Sequence, residues 1–337
     1  MSVSGVADSS KMLAAICERY GGPDVLRVGG IEKPVPRDHE VLVRVRATTV
    51  TSADSRIRAM RVPLGFGWPA RVALGFGKPR RPVLGVECAG VVEAVGAKVR
   101  ELKVGDRVFG MDSVSMGCHA EFKCFAEQGA LALKPDCLTH EEAAALPFGG
   151  TTALYFLERA SLKRGDRLLI NGAAGAVGTA MLQLAKHMGA HVTAVCSSGN
   201  SDLVRALGAD LVIDYARNNF MTDTECYDLI ADLVGNAPYP KSRHVLTSRG
   251  RLLMLVPGIP DLWSVLWCRL TSDHRVIAGT TAEKKGHLLR LCQLVEAGSY
   301  RPVIGRGLLF DQIALAHCCV DAGHKRGSIT LKMAIES

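Results

Sequence analysis

The chain runs to 337 residues, 48% of them hydrophobic and only 5% aromatic, with 41 Lys and Arg against 33 Asp and Glu for a formal charge of +8. This length is enough for about two domains with sizeable cores, which excludes a largely disordered chain. No apolar run approaches the roughly 18 residues of a membrane span, and the opening MSVSGVADSSKM holds no apolar core suited to a secretory signal, so a cytoplasmic protein with no membrane partner is expected.

The first 140 residues read as short strands broken by turn residues, among them the alternating Val41-Leu-Val-Arg-Val-Arg46, then Gly90-Val-Val-Glu-Ala-Val95 and Asp106-Arg-Val-Phe109. Between them stands a near-duplicate: Arg61-Val-Pro-Leu-Gly-Phe-Gly-Trp-Pro-Ala70 is echoed by Arg71-Val-Ala-Leu-Gly-Phe-Gly-Lys-Pro-Arg80, identical at seven of ten positions. Two copies do not make a solenoid, and the Gly and Pro content predicts a loop. Arg56, Arg58, Arg61, Arg71, Lys78, Arg80 and Arg81 make this segment cationic, with no acid from 55 to 81, so much of the +8 is concentrated here.

From about Glu141 the texture changes. Apolar runs of strand length alternate with helical segments: Arg167–Ile170, His191–Val195, Leu211–Ile213, Asp228–Ile230, Arg251–Val256 and Val276–Ala278. Continuous apolar strands of this kind predict a parallel sheet covered on both faces. A helix from Leu288 to Ala297, ended by Gly298, and a β-like run Gly327–Lys332 close the chain. Eleven cysteines at irregular spacings fit reduced thiols better than a disulfide framework or a metal knuckle.

The strand Arg167–Ile170 runs into Asn171-Gly-Ala-Ala-Gly-Ala-Val-Gly178 and then a helix, Thr179 to Met188, closed by Gly189. This is a G-x-G-x-x-G pattern with its first glycine replaced by Ala173. Gly175 lets the backbone approach a diphosphate, Gly178 lets the helix pack close on the sheet, and the helix N-terminus, with Ala176 and Val177, presents free N–H groups. Strand before, helix after and a second strand at the right distance are the context that makes such a motif a dinucleotide site. The second strand ends at Val195-Cys-Ser-Ser198, where an NAD enzyme places an acid on the ribose diol, and no acid is there. Ser197, Ser198 and Asn200, with Tyr215 or Arg205 nearby, suit a 2′-phosphate, so NADP(H) is favoured over NAD(H).

Several further segments carry a resemblance: Ala47-Thr-Thr-Val-Thr-Ser-Ala-Asp54, Gly85-Val-Glu-Cys-Ala-Gly-Val-Val-Glu-Ala-Val-Gly96, Val104-Gly-Asp-Arg-Val108, Ala143-Ala-Ala-Leu-Pro-Phe-Gly-Gly-Thr-Thr-Ala153, Asp232-Leu-Val-Gly235 and Gly323-His-Lys-Arg-Gly-Ser-Ile-Thr-Leu331. With the glycine motif they make the chain similar, from about residue 13 to 333, to the medium-chain dehydrogenase/reductase superfamily and its zinc-independent quinone oxidoreductase (zeta-crystallin-like) branch. The resemblance implies an α/β fold: a GroES-like, β-rich substrate domain from 1–142 and 281–337, and a Rossmann domain with a doubly wound parallel sheet at 143–280. It also implies a homodimer with its active site in the cleft. Similar zinc alcohol dehydrogenases carry a Cys where this chain has Thr51 and a His where it has Val86, and neither residue here supplies a zinc donor. No zinc is therefore expected.

By the same resemblance Thr51 occupies the branch's usual Asn position, with Asp54 after it, so its hydroxyl is expected to donate to a substrate carbonyl. Thr151 and Thr152 would contact the nicotinamide, Val234, Gly235 and Asn236 would border its ribose, and Val256 and Thr280 would lie close. Segment 60–80 and Leu262–Leu270 are expected to line the pocket or a dimer contact. The leading expectation is an NADPH-dependent reductase of a quinone or α,β-unsaturated carbonyl, with an enoyl thioester of coenzyme A or an acyl carrier protein as the alternative acceptor, docked by the basic loop. Another class, a non-catalytic NADPH-binding structural or RNA-associated protein, finds no aromatic-interleaved basic patch to support nucleic acid. Residues 56–82 hold no Tyr for proton donation, which leaves water or a cofactor hydroxyl; Tyr155 reads as core and His119 as a weak candidate.

Overall fold

A computed structural model describes residues 10–222, 225–323 and 325–334, with the side chains of 266 and 269 left aside. Residues 1–9 of the opening segment and position 324 of the closing motif lie outside the described residues.

Two sheets organise the chain. Six strands form one of them in the order Leu211–Asp214, His191–Cys196, Arg167–Asn171, Tyr227–Asp232, Leu246–Met254, Arg275–Ala278. All are parallel. Numbered along the chain this is 3-2-1-4-5-6, the order of a doubly wound dinucleotide-binding sheet. Leu168, Leu169 and Ile170 are fully buried, as a strand covered on both faces requires. The strand at Leu246 begins five residues before the apolar run at Arg251, because a register shift opposite Tyr227 and Leu229 admits the polar Thr247-Ser-Arg-Gly250 stretch.

The other sheet runs Ile304–Leu309, Ser328–Lys332, Glu40–Val50, Glu87–Val95, Arg107–Met111, Leu131–Leu133, with Phe122–Ala126 also paired to Glu40–Val50. The tail strand lies antiparallel to Glu40–Val50, Ile329 opposite Val50 and Lys332 opposite Ala47, so the C-terminal run returns to the first sheet.

Segment 61–80 is not wholly loop. Gly67–Leu74 forms a helix, closed where the chain turns at Gly75, whose φ of 122° suits glycine. The cationic charge of this region is also partly answered. Arg58 is fully buried; its guanidinium donates to Gly21 O, to Asp321 and, at 3.3 Å, to His317 Nδ1. Burial, then the neighbouring His119 and Arg58, lower His317 to about 2, keeping it neutral and able to accept. Arg61 reaches the other Asp321 oxygen. The acid absent from 55–81 therefore arrives from the helix Ile313–Asp321. Asp321→Ala leaves Arg58 buried without its counter-charge and is expected to cost about 3 kcal/mol or more in urea denaturation; a loss within about 0.5 kcal/mol, the scale of a surface change, would contradict this pairing.

Candidate active site

The strands Arg167–Asn171 and Tyr227–Asp232 are neighbours whose chains leave toward opposite ends of the sheet, so their carboxyl ends open a crevice. Asn171 and Asp232 stand at those ends. Asp232, fully buried, accepts the Asn171 side-chain amide at 2.9 Å and the backbone amides of Val234, Gly235 and Ala237 at 3.1, 2.9 and 2.8 Å. The Asn171 amide also reaches Asn236 Oδ1 at 2.6 Å.

Above this floor lies a cleft of about 650 Å³. The glycine turn forms one wall, with the helix Ala176–His187 rising from it. The two glycines differ in their surroundings. A Cβ on Gly178 would sit 2.3 Å from Gly172 O, whereas one on Gly175 would meet nothing nearer than 3.7 Å and would fill cleft space instead. No side chain caps the helix at Gly175, so its first-turn amides face the cleft for an anionic group. The opposing wall comes from the other sheet: Ser52 and Arg56 on the helix Ser52–Arg58, and Lys325 on the returning tail. Gly327 N donates to Ala174 O at 2.8 Å, and Arg326 binds Asn200 Oδ1 at 2.7 Å and Gly199 O. The tail thus ties both the glycine turn and the loop after the second strand.

Of the residues expected around a dinucleotide, Gly175, Ala176, Val177, Gly178, Ser197, Asn200, Tyr215, Val234 and Asn236 line the cleft. Ala173 is buried beneath the turn, and Gly235 shapes the Asp232 loop at φ 92°. Val256 stands against Gly235. Ser198 and Thr280 are exposed and line no part of the cleft. Thr151 turns its hydroxyl to Pro147 O at 2.7 Å, and Thr152 lies 3.4 Å from the Thr281 hydroxyl.

The catalytic expectation for Thr51 meets a different geometry. Its hydroxyl donates to Asp54 Oδ2 at 2.6 Å and accepts from Asp54 N at 3.2 Å, while Asp54 also takes Thr51 N and Gly85 N. Both are buried and together form a capping box for the helix Ser52–Arg58. They position Ser52 and Arg56 rather than lining the cleft themselves. Segment 60–80 and Leu262–Leu270, expected at the pocket or a dimer contact, supply none of the cleft's lining. Tyr155 packs edge-on against Phe156, and His119 is buried with Nε2 2.9 Å from Thr49 O. Arg205 is solvent-facing beside Asp202.

Residues 37–163 match an alcohol dehydrogenase GroES-like domain, and residues 207–331 match a zinc-binding dehydrogenase domain. The chain is 30% identical to the 2-methylene-furan-3-one reductase of Solanum lycopersicum, over 97% of its own length and 81% of that protein's. It belongs to the medium-chain dehydrogenase/reductase superfamily, in the quinone oxidoreductase branch. Its similarity extends to the NADPH-dependent alkenal/one oxidoreductase of Arabidopsis thaliana, 29% identical over 98% of this chain and 82% of that one. The quinone oxidoreductase structure from Coxiella burnetii superposes with a TM-score of 0.86 at 28% identity, covering 96% of this chain and all of that one.

In this quinone oxidoreductase-branch chain, three ionisable groups in or beside the cleft escape a reading of the sequence. Glu87, fully buried, accepts the Thr49 hydroxyl and Phe148 N. Burial pushes its carboxyl up to about 8, against the lowering effect of those two hydrogen bonds. An acid within the apolar run Gly85-Val-Glu-Cys-Ala-Gly is the signal that marks it. Lys325 is lowered to about 8 by burial, with Glu87 and Asp54 partly restoring it. Lys325 and Arg326 look in sequence like ordinary surface cations; only the tail's return puts them at the site.

The folded chain thus holds a proton on Glu87 that the unfolded chain releases from about pH 4.5 upward, so this group's contribution to stability falls as pH rises toward 8. Relative to Glu87→Gln, the native chain should lose on the order of 1 kcal/mol of stability per pH unit between pH 5 and 8. Parallel stability curves for the two proteins would contradict a protonated Glu87.

Proposed function

We propose that this chain is a zinc-free, NADPH-dependent reductase that adds hydride to the activated double bond of an enone or enal, or to a quinone. The observation that carries it is the cleft itself: an open glycine turn at the switch point, closed on its other side by a hydroxyl and two cations. The relatives' names, a furanone reductase and an alkenal/one oxidoreductase, point to the same class of acceptor.

The residues present fit a dinucleotide. Gly175 and the first-turn amides of the helix Ala176–His187 would hold the diphosphate. Ser197, Asn200 and Arg326 would receive a 2′-phosphate, in a loop with no acid to repel it. Val234 and Asn236 border the nicotinamide half. When bound, the reduced nicotinamide supplies the hydride.

The donor set does not fit a catalytic zinc. Val86 is fully buried and has no donor, the Thr51 hydroxyl is spent on Asp54, and no cluster of three His, Cys, Asp or Glu occurs among the described residues. A carbonyl oxygen that gains charge during reduction must then be stabilised by protein groups. Ser52, Arg56 and Lys325 are the polar groups on the wall facing the glycine turn. Lys325 holds a proton at Nζ with an affinity close to neutrality, which suits it to protonate the reduced acceptor. Phe148 and Leu233 add apolar surface to the lining of the same cleft.

A reducing cytosol is the compartment that suits eleven free thiols, and no helix among the described residues is long and apolar enough to cross a membrane.

Steady-state oxidation of NADPH and NADH against a panel of enones, enals, quinones and simple ketones tests this reading. Turnover with the first three classes is expected, with kcat/KM for NADPH at least about tenfold above NADH, the effect of one charge-assisted contact. Turnover of simple ketones alone would overturn it. Lys325→Met should lower kcat about a hundredfold and remove the fall in rate that the wild type shows as Lys325 deprotonates above pH about 8. An unchanged pH profile would rule out Lys325 as the proton donor.

A further inference from the structure

Arg56, Arg58 and Arg61 lie on and just after the helix Ser52–Arg58, and the fold treats them differently. Arg58 and Arg61 share Asp321, one on each carboxylate oxygen, and the Ser55 hydroxyl adds to the Arg61 side. Asp321 therefore has no oxygen left for a third guanidinium. Arg56 makes no ion pair or side-chain hydrogen bond among the described residues, yet it is half-buried and lines the cleft. Burial and the neighbouring Arg61 lower its hold on its proton, with no acid opposing them. Arg71, Arg80 and Arg81 also lack ion pairs among the described residues, but they are exposed and solvated. A guanidinium drawn out of water without a counter-charge is costly, so an anion entering the cleft would find it ready.

The cleft supplies no such anion itself. Its lining includes no Asp or Glu among the described residues. Asp54 and Asp232, behind the walls, are committed to the Thr51, Gly85, Val234, Gly235 and Ala237 amides, and Glu87 holds its proton. In the cofactor arrangement given above, the diphosphate is received by the glycine turn and the 2′-phosphate by Ser197, Asn200 and Arg326, whereas Arg56 stands on the opposing wall. Arginine does not give up a proton in proteins, so Arg56 is suited to binding rather than to proton transfer. Its planar fork matches a carboxylate with two parallel hydrogen bonds. Ser52 and Arg56 are four residues apart on one helix face, about 6 Å along its axis. An acceptor whose carbonyl lies near Ser52 thus extends the substituent on its carbonyl side toward Arg56.

We propose that Arg56 is a specificity-determining residue that seats a carboxylate of the acceptor, so that the preferred substrates are enones bearing a carboxylate a few carbons from the carbonyl. The β-carbon takes the hydride of NADPH and the α-carbon takes a proton, while the carboxylate is unchanged. The spacing from Ser52 favours such acids over coenzyme A thioesters, whose phosphates lie a whole pantetheine arm from the reacting bond. The proposal rests on the reductase reading and narrows its substrate class.

Three open-chain enones of equal length, ending on the carbonyl side in a carboxylate, its methyl ester or a methyl group, test the assignment. For the wild type, kcat/KM for the acid should exceed that for the ester at least about tenfold, the scale of a charge-assisted contact. Arg56→Ala should bring that ratio to about one, and Arg56→Lys, with a point charge but no fork, should restore part of it. A second readout does not use turnover: in calorimetry the saturated keto acid should bind the enzyme–NADP+ complex at least about tenfold more tightly than its ester, and Arg56→Ala should remove the difference. Equal rates and equal binding of acid and ester would overturn the proposal while reduction of the neutral enone upheld the reductase reading. A raised KM for NADPH in Arg56→Ala with the acid-to-ester ratio unchanged would assign the guanidinium to the cofactor diphosphate and would equally overturn it. Turnover of none of the three would refute the reductase reading, and calorimetry would still decide the carboxylate site.

Discussion

Much of this structure hangs on one buried carboxylate. Asp232 ends a central strand with no solvent, and four N–H donors converge on it from Asn171 and from the turn after its own strand. A buried charge left unpaired is costly, so these donors are held where the carboxylate needs them. The result is a fixed floor at the point where the parallel sheet changes direction. The glycine turn rises on one side of that floor and the Val234–Asn236 loop on the other. The cleft between them is then set by the sheet's topology rather than by any flexible segment.

The second sheet contributes by returning. Its tail strand pairs with Glu40–Val50, and just before it the chain passes close enough to the glycine turn for Gly327 to bond Ala174. A Cβ at Gly327 would lie 2.1 Å from Val303 O, which explains a glycine there. This passage carries Lys325 and Arg326 to two different stations of the cleft, one facing the buried Glu87 and one facing the loop after the second strand. The cations of segment 56–81 and the tail are likewise divided by the fold: Arg58 and Arg61 share Asp321, Arg56 and Lys325 line the cleft, and Arg71, Lys78, Arg80 and Arg81 are exposed.

The features legible in the sequence are those set by local backbone chemistry. The continuous apolar strands, the turn at Asn171–Gly178 and the close packing of Gly178 all follow from short stretches read alone. The missing acid after the second strand is legible for the same reason. Thr51 and Asp54 were legible as a pair, but a Thr followed three residues later by an acid is also a capping box, and the helix start uses both side chains. Long-range pairings left no local trace. The tail's return to the first domain is implied by the family resemblance and not by Lys325-Arg326 themselves, and nothing in 55–81 says that Asp321 lies opposite. Leu262–Leu270 was legible as apolar, yet apolar character does not distinguish a pocket wall from an exposed face.

The central claim is that hydride is delivered in this cleft to the β-carbon of an activated double bond, without a metal to polarise a carbonyl for direct reduction. Deuterium labelling tests it most directly. NADPH carrying deuterium at nicotinamide C4 would be turned over with a cyclic enone, using each stereoisomer of the label, and the product analysed by NMR. The account predicts a saturated ketone with deuterium at the β-carbon from one of the two labels. An allylic alcohol with deuterium at the former carbonyl carbon would contradict it.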